Sequence, residues 1–155
     1  MTRSSYLGQQ RYGSFCWSGD IVSQWNVMRK QIAGGLNYSL CGIPYWNTDI
    51  GGFFGANIYD EDYHEVFVRW FEYGTFCPVM RLHGYRWPLQ PQYGTTGGAT
   101  CVSGAPNEVW SYTDQVCEIL SDYLRLRERM LPYITELMEE AHEKGTPVMR
   151  PLFYD

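Results

Sequence analysis

Four residues, Trp17-Ser18-Gly19-Asp20, set a carboxylate behind an indole and a flexible turn. They close a short apolar run, residues 12–17, that reads as a strand. An acid at the end of a strand is placed to meet a ligand at a sheet's carboxyl edge. An indole beside it excludes water and favours the protonated form, which a proton donor near neutral pH requires. Taken alone, an Asp after Gly is more often a turn residue or a helix N-cap. The pattern recurs, however. Asn47-Thr48-Asp49-Ile50-Gly51-Gly52-Phe53 follows a second apolar run (38–46), Arg81-Leu82-His83-Gly84 follows a third (75–80), and Arg3-Ser4-Ser5 stands near the start. Polar groups placed repeatedly just past strand-like runs describe one face of a βα-repeat protein.

The elements that must carry these residues follow from the pattern. Residues 9–17 lead through a strand. Ser23 can cap a helix with Trp25, Met28 and Ile32 on one face, ending at Gly34-Gly35. Residues 36–46 supply the next strand and 47–57 a Gly-rich loop. A second helix starts near Asp60-Glu61, acids suited to an N-terminus, with Tyr63, Phe67, Trp70 and Phe71 on its apolar face and Gly74 at its end. Residues 75–82 form a further strand. A Gly-, Pro- and Thr-rich stretch runs from 84 to 110. Ser111-Tyr112-Thr113-Asp114 resembles a capping box, and a helical pattern then extends from Val116 to Ala141, with Pro132 set to kink or split it and Gly145 to stop it. Residues 148–154 read as a strand.

These motifs, in this order, resemble the catalytic barrel of glycoside hydrolase family 31. The stretches Leu126-Arg127-Glu128-Arg129-Met130-Leu131-Pro132-Tyr133-Ile134 and Gly145-Thr146-Pro147-Val148-Met149-Arg150-Pro151-Leu152-Phe153 resemble it too, so the likeness runs nearly end to end. The resemblance implies an α/β fold, a partial (β/α)8 TIM barrel. Residues 1–145 would be its C-terminal half, about strands five to eight with their helices, and 146–155 the start of a following β-sandwich domain. A complete barrel takes about 250 residues, and this chain has 155. The missing N-terminal half, with the nucleophilic Asp of the fourth strand, is then expected upstream.

The implied activity is that of a retaining α-glycosidase acting on an oligosaccharide or other α-linked glucoside or xyloside by double displacement. Such enzymes use two carboxyl groups about 5–5.5 Å apart. Asp20 matches the general acid/base. Arg3 matches an arginine that binds sugar hydroxyls, although the stretch from Arg3 to Trp17 is about one residue longer than in some relatives. Asp49 matches a carboxylate that grips a sugar diol in the −1 subsite, where charge-assisted bonds are strong; its bland reading is a cap for the Gly51-Gly52 turn. Phe53 would wall the subsite or pack in the core. His83 matches a substrate-binding histidine. Trp17 would flank the acid, Trp46 is wall or core, Tyr45 is core, and Arg81 is expected to hold its strand end by an ion pair. The chain departs from the family after His83, where residues 85–108 intervene before the last helix. That loop leaves the aglycone preference open.

Two other readings compete. A non-catalytic carbohydrate-binding module would also be rich in aromatic residues, but would not need an acid, an arginine and a histidine at successive strand ends. A transglycosylase or lyase of the same family would share every motif. Aromatic residues make up 17% of the chain, with 13 Tyr and 6 Trp, which suits sugar stacking and core filling alike. A net charge of −5 argues against nucleic-acid binding, and no apolar run is long enough for a membrane span. Cys16, Cys41, Cys77, Cys101 and Cys117 are scattered without a C-x-x-C pair, so neither a metal nor a redox cofactor is expected. Cys16, Cys41 and Cys77 read as buried thiols, which leans toward a reducing, cytoplasmic compartment. A missing leader carries no weight for a chain expected to begin mid-barrel.

Overall fold

The computed structural model describes residues 1–89 and 104–154. Its frame is parallel. Strand β1 (Cys16–Trp17) pairs with β2 (Trp46–Asn47) in the register Cys16 to Trp46 and Trp17 to Asn47. Single parallel bridges extend the array: Thr2 to Cys16 on one side, Ile50 to Leu82 on the other, with Val22 to Phe54 and Asn57 to Trp87 above. The expected strands at 9–17, 36–46 and 75–82 are therefore much shorter than their apolar runs. Residues 9–12 form a 3-10 turn (Gln9–Tyr12). Residues 36–40 belong to helix α1 (Trp25–Leu40), and 75–76 to helix α2 (Glu61–Phe76). Short apolar runs do not by themselves separate a buried strand from the last turn of a buried helix.

Helix α1 buries Met28, Gln31, Gly35 and Ser39, one stripe at three- and four-residue spacing. Its N-cap is Gln24, without a side-chain cap, rather than Ser23. Gly34-Gly35 does not end it. A Cβ on Gly35 would lie 2.7 Å from Trp46 Cδ1, so this glycine serves the close approach of an indole.

Helix α2 begins as its acids require: the Asp60 carboxylate accepts from Asp62 N–H at 3.0 Å. Tyr63, Phe67, Trp70 and Phe71 are buried as expected, and the helix passes Gly74, where Ile50 packs against the bare backbone. Helix α3 (Asp114–Lys144) runs through Pro132 without a break. Thr113, not Ser111, caps it by accepting from Val116 N–H at 3.3 Å, and Gly145 stops it at φ 75°. Arg127 on α3 donates to the carbonyls of Thr75 (2.7 Å), Cys77 (2.6 Å) and Pro78 (3.0 Å), so it binds the orphan acceptors at the end of α2. The core joins α2, the inner side of α3 (Val116, Leu120), Met28 and Ile50.

The strand expected at 148–154 is absent; a 3-10 turn, Leu152–Tyr154, stands there. Cys16 and Cys77 are buried, but Cys41 is exposed where α1 ends, and Cys101 lies outside the described residues. So does the 90–103 part of the expected 85–108 loop. None of the described helices is long and apolar enough to cross a membrane.

Candidate active site at the strand ends

The carboxyl ends of the parallel segments bring the singled-out residues together. β1 delivers Trp17, and Gly19 at φ 82° turns the chain so that Asp20 emerges exposed. Arg3 lies alongside, Nη1 3.7 Å from Asp20 Oδ2, with both side chains well solvated. Such a pair contributes little to stability and leaves the carboxylate accessible. Among the described residues Asp20 caps no helix.

Trp17 is half-buried between two cations. The Arg3 guanidinium carbon is 5.6 Å from its ring and that of Arg81 5.8 Å, both within cation–π range. Arg81 links the next strands. Its Nε donates to Asn47 Oδ1 (3.2 Å), its Nη2 bonds Asp49 Oδ1, and Asn47 in turn donates to the carbonyl of Cys16 (3.2 Å). Arg81 thus forms the ion pair expected of it.

Asp49 is completely buried, and its second oxygen, Oδ2, has no hydrogen-bond partner. Burial pushes its carboxyl above the ordinary range, the nearby Arg81 and, more weakly, His83 oppose that rise, and nearby Asp20 adds to it. The Asp49 side chain does not cap the following turn; Gly52 N–H bonds the Asp49 backbone carbonyl instead, at 2.9 Å.

That turn positions Phe53. Gly51 and Gly52 take φ of 86° and 78°, conformations that favour glycine. Phe53 N–H then donates to the carbonyl of Ile21 at 2.7 Å, which ties the loop after Asp49 to the residue after Asp20. The Phe53 ring stands 5.4 Å from the exposed His83. The six residues Arg3, Trp17, Asp20, Asp49, Phe53 and His83 therefore lie in one cluster, with Arg81 linking Trp17 to Asp49. Trp46 does not join it: the ring is 3% exposed and packs on Tyr38 (4.9 Å) and Gly35, behind the sheet. Tyr45 is half-buried against Phe15.

Sequence reasoning missed Asn47 and Arg86. Asn47 is fully buried and couples β1 to Arg81; its position two residues before Asp49, on the same face of an extended chain, was the available signal. Arg86 is also fully buried, donating to the carbonyls of Gly52 (2.9 Å), Tyr85 (3.0 Å) and Ile50 (3.3 Å) beneath the glycine turn. Nothing in Gly84-Tyr85-Arg86-Trp87 announces a buried cation. Among the described residues no group of three His, Cys, Asp or Glu side chains is arranged to hold a metal ion.

A parallel βα array with an acid, an arginine, a second carboxylate and a histidine gathered at its strand ends is the arrangement of a βα-barrel segment. The family is shown directly: the family described as Glycosyl hydrolases family 31 TIM-barrel domain matches residues 1–137, and the chain belongs to it. It is 41% identical over 155 residues to an α-xylosidase of Saccharolobus solfataricus, covering all of this chain and 19% of that one. It is 33% identical over 156 residues to an α-glucosidase of the same organism, covering all of this chain and 20% of that one. The crystal structure of a family 31 α-xylosidase from a soil metagenome, complexed with xylose, superposes with a TM-score of 0.92 at 48% identity over 99% of this chain and 23% of that one. The chain thus spans about a fifth of the length of these relatives.

Proposed function

We propose that this chain is part of the catalytic barrel of a retaining α-glycosidase that cleaves α-linked xylosides or glucosides. It would supply strands five to eight, with 146–155 leading toward a following β domain. Asp20 is the general acid/base: it gives a proton to the departing oxygen, then takes one from water. The attacking carboxylate comes from a barrel segment outside these residues. Arg3 stands beside Asp20 and meets sugar hydroxyls, Trp17 and Phe53 wall the subsite, and His83 donates to a hydroxyl. Asp49 grips a diol through Oδ2, the buried acceptor left without a partner, once the one-fifth-exposed Arg81 side chain shifts.

The observation that carries this reading is the joining of Asp20, Asp49 and His83, from three separate segments, around Trp17 and Phe53. A sugar-binding module needs no exposed acid beside an arginine. The test is proton NMR of the full-length enzyme acting on maltose and on α-xylosyl-(1→6)-glucose. Double displacement releases the α-anomer of the cleaved sugar first. Release of the β-anomer first, or no turnover of either disaccharide, overturns the proposal.

A further inference from the structure

Residues 84–87 leave the site along a path that sorts their side chains to two faces. Gly84 sits at φ 118°, so close to the turn that a Cβ would lie 2.6 Å from the carbonyl oxygens of Gly52 and Phe53. Tyr85 N–H then bonds the Phe53 carbonyl (2.9 Å), Trp87 N–H the Ala56 carbonyl (2.7 Å), and Ile58 N–H the Trp87 carbonyl (3.1 Å). This is parallel pairing beside Asn57. In such pairing successive side chains point to opposite faces.

Arg86 takes the inner face. Three backbone carbonyls hold its guanidinium, Tyr63 lies 5.4 Å beneath it, and no carboxylate among the described residues pairs with it. A buried cation so held is costly to move. Tyr85 and Trp87 are therefore fixed on the outer face. There they join Phe53 and Phe54 in a row of rings: Tyr85 meets Phe53 edge-on at 5.8 Å, lies nearly parallel to Phe54 at 6.5 Å, and meets Trp87 edge-on at 6.5 Å. Phe53 adjoins His83, and Trp87 is 44% exposed, so the row runs unbroken from the site into solvent.

We propose that Tyr85 and Trp87 are the platform for the sugar on the leaving-group side of the scissile bond, which makes the enzyme selective for oligosaccharides over glycosides with small leaving groups. This rests on the reading of Asp20 given above. The side follows from connectivity: Phe53, which anchors the row, is bonded to Ile21, the residue after the acid that protonates the departing oxygen. The ligand class follows from chemistry. A pyranose has an apolar C–H face and a rim of hydroxyls, which suits the amphipathic rings of half-buried Tyr85 and exposed Trp87. The buried Arg86 holds the platform in position beforehand, so little freedom is lost when the sugar docks.

The experiment compares kcat/KM of the full-length enzyme, Trp87→Ala, Tyr85→Ala and Trp87→Phe on two substrate kinds. One is a disaccharide, maltose or α-xylosyl-(1→6)-glucose; the other is the fluoride of the same sugar, α-glucosyl or α-xylosyl fluoride, whose leaving group cannot reach the rings. Each alanine variant should lose about ten-fold more on the disaccharide than on the fluoride, as expected for a lost stacking contact, and Trp87→Phe should lose less. Turnover of the fluoride reports that the variant is folded. An equal loss on both substrates, or no loss on the disaccharide, overturns the platform while leaving the glycosidase reading intact. A wild type that cleaves neither kind overturns both.

Discussion

Arg81→Met should weaken the full-length protein more at pH 7 than at pH 5, and adding Asp49→Asn should repair most of the damage. Asp49 is fully buried and, among the described residues, Arg81 is the one hydrogen-bonding partner of its carboxylate. Stripping one member from a buried ion pair typically costs about 3–5 kcal/mol, and the 20% exposure of Arg81 puts this site near 3 kcal/mol. The pH dependence follows from the direction of the Asp49 shift. Its carboxyl is raised above the ordinary 3.8 by burial, so between that value and its folded value the native state binds the extra proton. Stability therefore falls as pH rises through that window and is lowest above it. Arg81 is the largest influence holding the shift down, so its loss moves the upper edge of the window to higher pH. On acidification through the widened window the variant should recover up to about 1.4 kcal/mol per pH unit relative to wild type. Urea unfolding at pH 7, 6 and 5, followed by tryptophan fluorescence, measures this. The double variant, with no charge left at either position, should be more stable at pH 7 than Arg81→Met alone. A loss identical at all three pH values, or a double variant that loses the sum of the two single losses, would refute the reasoning.

Gly35→Ala should lower stability by about 1–3 kcal/mol through overpacking, because its Cβ would press on Trp46 at 2.7 Å and on Tyr73 Oη at 3.0 Å; the thermal midpoint reports it. Arg127→Met should cost about 1.5–3 kcal/mol by uncovering the carbonyls of Thr75, Cys77 and Pro78. Arg127→Lys should recover only part of that, since an ammonium lacks the planar fork; urea unfolding tests both. The 155-residue chain purified alone should not hydrolyse 4-nitrophenyl α-glucoside or α-xyloside, since it spans about a fifth of the length of its relatives and, in the proposed reading, lacks the attacking carboxylate. Turnover abolished by Asp20→Ala would contradict this.

The clustering of the candidate residues was legible because they sit in turns with distinctive residues. Trp17 to Asp20, Asp49 to Phe53 and Arg81 to Gly84 each pair a polar group with a glycine or an aromatic residue, and the structure brings all three stretches together. The buried face of α2 was legible, but that of α1 was not, since Trp25 and Ile32 are exposed and Gln31, Gly35 and Ser39 are buried beside Met28. Helix ends were poorly legible. Gly35 and Gly74 look like stop signals, yet both lie inside helices where a partner side chain needs the space of a Cβ. That partner, Trp46 or Ile50, is distant in sequence, so local propensity has no access to it. The strands were overdrawn because 36–40 and 75–76 are the last turns of helices α1 and α2, which a short run does not distinguish from a strand. Arg86 was invisible because its burial depends on the carbonyls of a turn more than thirty residues earlier.

The role of Asp20 is the center of the functional account, and azide tests it most directly. In the full-length enzyme Asp20→Ala should lose about 10²–10⁴-fold on maltose or α-xylosyl-(1→6)-glucose, whose departure needs a proton. It should lose far less in the first step on a 4-nitrophenyl α-glycoside, whose leaving group departs unaided. Azide added to that reaction can enter the space left by the carboxylate and attack the glycosyl-enzyme without a base. Two inversions restore the starting configuration, so NMR of the product should show the α-glycosyl azide. Equal losses on activated and unactivated substrates, with no glycosyl azide formed, would make Asp20 a structural residue and contradict the account.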